Sequence, residues 1–129
     1  MSEAISGRWG AAMLSVLRIV SSLIFLLHGA QKLFGFPPTE QRPPLFSLMG
    51  LGGVLELFGG LLLLVGFYTR PVAFVLSGMM AVAYWMFHAP QSLFPTVNGG
   101  DAAILYCFLF LYFAVVGGGT WSLDAARKS

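Results

Sequence analysis

Charge is what this sequence lacks most. Only 9% of its 129 residues are Asp, Glu, Lys or Arg, while 57% are hydrophobic and the mean hydropathy is +0.82; soluble domains carry about 25% charge. Small water-soluble folds leave a large share of their surface exposed, and so little charge cannot clothe that surface, so lipid must surround most of the chain. Cysteine is nearly absent too. Cys107 stands alone inside an apolar run, which excludes an internal disulfide and a Cys-x-x-Cys redox pair. Any two-electron chemistry therefore needs a cofactor or a partner. The net charge is only +2 and the basic residues are scattered singly, so the chain has no basic stripe for nucleic acid. The first ten residues contain Glu3 and Arg8, and the apolar run behind them is too long for a signal h-region and lacks a small-residue cleavage pattern. It reads as a retained first anchor.

What is abundant is long apolar runs. Crossing about 30 Å of hydrocarbon takes roughly 20 helical residues, and about 17 suffice with local thinning. Four stretches meet that length: residues 11–34, 47–67, 71–87 and 101–116. The expected fold is all-α, a single domain over residues 1–129 forming an antiparallel bundle of four transmembrane helices. The breaks agree with this division. Residues 35–44 hold four prolines, Pro37, Pro38, Pro43 and Pro44, which lack the donors and torsions of a helix interior. Between spans two and three, Thr69 is a cap candidate and Pro71 suits a first helical turn. Before span four, Asn98 is an N-cap candidate, with Asp101 three positions on, where free amides favour a carboxylate.

Lys and Arg counts in short flanks set the expected orientation. The side with both termini has Arg8, Arg70, Arg127 and Lys128, and the other side has Lys32 and Arg42. Both termini are expected in the cytoplasm, with Trp9, Tyr68 and Trp121 near the inner interface.

Ionisable groups at membrane depth are costly and usually face the bundle interior, so they are the first candidates for function. Arg18, Ser21, Phe25, His28 and Lys32 follow spacings of 3, 4, 3 and 4 and share one face of span one. Span two offers one carboxylate, Glu56, between the pairs Gly52-Gly53 and Gly59-Gly60, and small residues at such spacings let a neighbouring backbone approach. Span three places Ser77, Ala81, Tyr84 and His88 on one face. At about 1.5 Å per residue, His28 lies roughly 10 Å, and Glu56 roughly 13 Å, inside the outer ends of their helices. A polar pocket in the outer half is expected, with Glu56 paired to His28 or Lys32, and with Tyr84, His88 and Asp101 in the same half. Arg18 belongs to the inner half and is expected to snorkel to the headgroups. The plainer alternative is that Glu56 and its partner only fix which helix faces which. Arg70 reads as an interfacial cation at a helical hairpin. Cys107, Met79 and Met80 read as packing residues, and no metal cluster is expected.

Several segments together resemble the DoxX family of bacterial four-helix membrane proteins. They are Leu17-Arg18-Ile19, Leu27-His28-Gly29-Ala30-Gln31-Lys32-Leu33-Phe34-Gly35-Phe36, Gly53-Val54-Leu55-Glu56-Leu57-Phe58-Gly59-Gly60 and Gly66-Phe67-Tyr68-Thr69-Arg70, then Asn98-Gly99-Gly100-Asp101-Ala102-Ala103 and Trp121-Ser122-Leu123-Asp124. The resemblance implies a multi-pass protein of the cell inner membrane associated with oxidoreductases. Members of that family include a subunit of a thiosulfate:quinone oxidoreductase and a component joining superoxide dismutase with a sulfurtransferase at the membrane. The polar positions it carries over are His28, Lys32, Glu56, Arg70 and Asp101. Two functional readings follow: a quinone-interacting or accessory component of a membrane oxidoreductase system, or a non-catalytic docking protein for soluble or membrane redox or metal-handling partners. A haem or metal held by His28 and His88 is a weaker third reading. The glycine pairs of span two suit a homodimer.

Overall fold

A computed structural model of the chain describes residues 3–39, 43–44 and 46–128, with side chains from residue 7 to residue 127 outside the gaps. Arg42, counted above for the outer side, lies outside the described residues, as does the side chain of Lys128.

Helix α1 (Glu3–Phe34) starts eight residues before the expected span, because nothing in residues 3–10 breaks a helix. Its 32 residues reach about 48 Å, so one end projects beyond the hydrocarbon. Helix α2 (Leu48–Val65) begins at Ser47, whose Oγ accepts from the Gly50 amide at 3.1 Å, and ends at Gly66 with φ +71°. A left-handed residue is what stops a helix there, and glycine adopts it without a Cβ clash.

Helix α3 (Thr69–Ala83) begins two residues earlier than expected, after Tyr68 at φ +52°. Pro71 therefore lies inside the first turn, where a missing amide hydrogen does no harm. The helix continues as a π-turn over Tyr84–His88 and a 3-10 turn over Ala89–Gln91. The short α4 (Pro95–Asn98) precedes α5 (Asp101–Val116), whose bounds are the expected ones, and α6 (Leu123–Lys128) closes the chain.

No strand occurs among the described residues. Helix α1 packs on α2 and α3 packs on α5, and a lighter α2–α3 seam joins the two pairs. Phe25, Leu63, Leu76, Phe110 and Phe113 fill the middle, all nearly inaccessible. Large apolar side chains also cover the outside, among them Ile24, Phe58, Phe74 and Phe108. A shell that is apolar outside as well as inside belongs in lipid. Among the described residues, three helical stretches are long and apolar enough to cross a bilayer, and α5 is a shorter apolar helix of 16 residues. The chain is an integral membrane protein.

Candidate functional site

The site begins with glycines. A Cβ at Gly29 would lie 2.6 Å from the Leu57 amide nitrogen and 2.7 Å from the Gly53 carbonyl oxygen. One at Gly53 would lie 2.9 Å from Lys32 Cβ, and one at Gly60 would lie 2.7 Å from Leu26 Cβ. Helices α1 and α2 therefore touch backbone to backbone, and this contact carries Lys32 over Glu56. Lys32 Nζ donates to Glu56 Oε1 at 2.5 Å. The Glu56 side chain is 4% exposed and that of Lys32 27%, so the charge pair is buried at one end and open at the other. The second carboxylate oxygen, Glu56 Oε2, is buried with no hydrogen-bond partner among the described residues.

The pair borders a cavity of about 570 Å³ between the two helix pairs. Phe25, Met79, Met80, Phe87 and Tyr106 supply apolar walls, and His28, Gln31, Lys32, Glu56 and His88 supply polar ones. Of the two partners open to Glu56, the ion pair goes to Lys32. His28 is exposed on the cavity rim with its ring edge-on to Tyr106, centroids 6.3 Å apart. His88 Nδ1 lies 3.1 Å from the Asn98 carbonyl oxygen. A carbonyl only accepts, so in this contact Nδ1 is the donor.

Tyr84 and Asp101 do not line this cavity. The Tyr84 hydroxyl accepts from Asn98 Nδ2 at 3.2 Å, and Asn98 Oδ1 accepts from the Gly100 amide at 2.8 Å. Asn98 thus organises the turn before α5 without being the cap residue, which is Gly100. Asp101 is exposed in the first turn of α5, where its Oδ1 accepts from the Ala102 amide at 3.1 Å. The glycine pairs are mostly used inside the chain: Gly53 and Gly60 face α1, Gly59 faces Leu76, and only Gly52 has open space beside it.

Arg18 does not snorkel. It is 1% exposed, with Nε donating to the Leu63 carbonyl at 2.8 Å, Nη1 to that of Gly118 and Nη2 to that of Trp121 at 2.7 Å. The carbonyls freed at the end of α2 and in the glycine turn after α5 attract the guanidinium more closely than headgroups do. Ser15 completes the arrangement, its Oγ donating to Gly118 at 3.1 Å and accepting from the Trp121 amide at 2.9 Å.

The α3 amides are capped from a distance. Asp124 accepts from the Tyr68 and Thr69 amides, each at 2.8 Å, so Thr69 does not serve as the cap expected from its position. Burial works to raise the Asp124 carboxyl, but the Thr69 amide and hydroxyl, the Tyr68 amide and the nearby Arg127 charge outweigh it and hold the group below its ordinary value. Gly29, Ser15, Tyr106 and Asp124 were not singled out from sequence. The local signals for them were Gly29 beside His28 and the Trp-Ser-Leu-Asp segment.

The DoxX family model matches residues 13–89. An uncharacterized protein of Haemophilus influenzae is 43% identical over 117 residues, covering 86% of this chain and 87% of that protein. Inner membrane protein YqjF of Escherichia coli is 30% identical over 125 residues, covering 84% and 87%, and inner membrane protein YphA of the same organism is 29% identical over 133 residues, covering 90% and 93%. No solved structure matches the chain.

Proposed function

Because the chain belongs to the DoxX family, we propose that it is an inner-membrane component of a membrane oxidoreductase system whose outer cavity receives a quinone ring. One observation carries this reading: a buried carboxylate, paired on one oxygen and unpaired on the other, borders a cavity that is otherwise largely apolar. A quinone ring is flat and apolar with polar oxygens at opposite edges. Phe25, Met79, Met80 and Tyr106 offer surfaces for the ring, Lys32 offers a donor to one oxygen, and Glu56 offers a proton-exchanging group. A quinone supplies the two-electron chemistry that a chain with a single cysteine cannot supply by itself. The names of YqjF and YphA place those relatives in an inner membrane, which supports the same location here, and the Lys and Arg distribution supports cytoplasmic termini.

The test is titration of a short-chain quinone analogue into the purified protein. Binding is expected to saturate and to weaken about tenfold or more in Glu56→Gln and His28→Ala, the scale of a lost hydrogen bond to a charged group. Equal binding by both variants and the parent protein removes this cavity from consideration.

A further inference from the structure

A second cavity, of about 550 Å³, lies at the opposite end of the bundle from the Lys32–Glu56 pair, between the start of α3, the glycine turn after α5, and α6. Two guanidinium groups line it. Arg70 is exposed, and among the described residues it has no hydrogen-bond or ion-pair partner. Gly117, at φ +88°, gives it room: a Cβ there would sit 3.3 Å from Arg70 Nε. Arg127 is held over the rings of Phe67 and Tyr68, 5.0 Å from each centroid, which fixes its charge at the cavity wall.

The carboxylate on this wall, Asp124, does not cancel both cations. Each of its oxygens already accepts a backbone amide of the Tyr68-Thr69 turn. Behind the wall, Arg18 is bonded to carbonyl oxygens, so among the described residues the lining and its backing hold three guanidinium groups against the one carboxylate of Asp124. Thr69, which also lines the cavity, is 0% exposed, and its hydroxyl helps the two amides hold the Asp124 carboxylate.

We infer that this cavity binds the phosphodiester headgroup of an anionic phospholipid. The planar fork of Arg70 matches the oxygens of a phosphate. The place also matches: Tyr68 and Trp121 are exposed beside it, and such rings settle at the level of the headgroups. From the cavity the apolar outer faces of α3 and α5, with Phe74 and Val115 exposed, offer a track along which acyl chains would lie. Basic pockets at helix ends favour anionic lipids in this way. The site is independent of the quinone reading, since it shares no residue with the outer cavity.

The test uses the full chain in a zwitterionic detergent, with bound lipid counted by native mass spectrometry. The probes are dioleoyl phosphatidylglycerol, dioleoyl phosphatidylcholine and inorganic phosphate. Phosphatidylglycerol should be retained over phosphatidylcholine. Arg70→Gln and Arg127→Gln should each lower that preference about fivefold, the scale of one cation near a charged headgroup, and Arg70→Lys should keep part of it. Equal retention of the two lipids overturns the inference, and so does an unchanged preference in both glutamine variants. Displacement of phosphatidylglycerol by equimolar inorganic phosphate also overturns it, because it assigns the site to a soluble phosphate.

Discussion

Lys32 and Glu56 stand 24 residues apart in the chain, yet their charged atoms close to 2.5 Å across the α1–α2 seam. The seam permits this because Gly29 and Gly53 remove the side chains that would hold the helices apart. A charge pair in low dielectric is a sensitive element: removing one partner leaves the other charge uncompensated, whereas removing both is often nearly neutral.

Lys32→Met should therefore destabilise the protein more than the double variant Lys32→Met/Glu56→Gln. The single loss should fall at or below the roughly 3–5 kcal/mol typical of a broken buried pair, because the Lys32 side chain is 27% exposed. Thermal unfolding in detergent checks the order; a double variant less stable than the single one would show that the pair is not the source.

The glycines of α2 and α1 should separate into two classes. Gly29→Ala places a methyl 2.6 Å from a backbone nitrogen and should cost about 1–3 kcal/mol as overpacking. Gly52→Ala meets nothing within 4 Å and should be neutral or gain about 0.5–1 kcal/mol from helix propensity. The same unfolding assay compares them.

Arg18→Met should loosen the C-terminal segment before it loosens the bundle. The variant leaves the Trp121 carbonyl without its Arg18 donor and the Gly118 carbonyl with Ser15 alone, at about 1–3 kcal/mol for a buried group so orphaned. Limited proteolysis should cut within residues 117–127 faster than in the parent protein. Equal cutting rates would mean that Ser15 and Asp124 hold the segment without it.

Asp124 should make stability fall in acid. Its carboxyl is held below the ordinary value in the folded state, so its contribution is fully present above the unfolded value of about 3.9. It is lost as pH falls through the lower folded value. Unfolding temperatures of the parent protein and Asp124→Asn should differ at pH 7 and converge below about pH 4. A gap that persists into strong acid would assign the effect to packing rather than to charge.

Much of the fold is legible in the sequence. The bounds of α5 can be read directly, because Gly100 and Gly117 bracket an unbroken apolar run, and the inward stripe on α1 follows from its spacing. The start of α3 is not legible: Thr69 and Pro71 carry ordinary local signals, but the carboxylate that caps those amides comes from Asp124, 55 residues along the chain. For the candidate site, depth arithmetic brings His28 and Glu56 to nearly one level with Lys32 one turn above, yet it cannot choose between these two partners for Glu56.

The sequence by itself determined the solvent. Hydrophobicity is a sum over residues, and a chain with 9% charge must place its helices in lipid whatever their arrangement. Tertiary structure alone decided the partners: Lys32 rather than His28 for Glu56, backbone carbonyls rather than headgroups for Arg18, and the rim of α5 rather than the cavity for Asp101. Pairing depends on distances of a few ångströms, and those are set by where glycines let helices touch and where the chain turns back on itself.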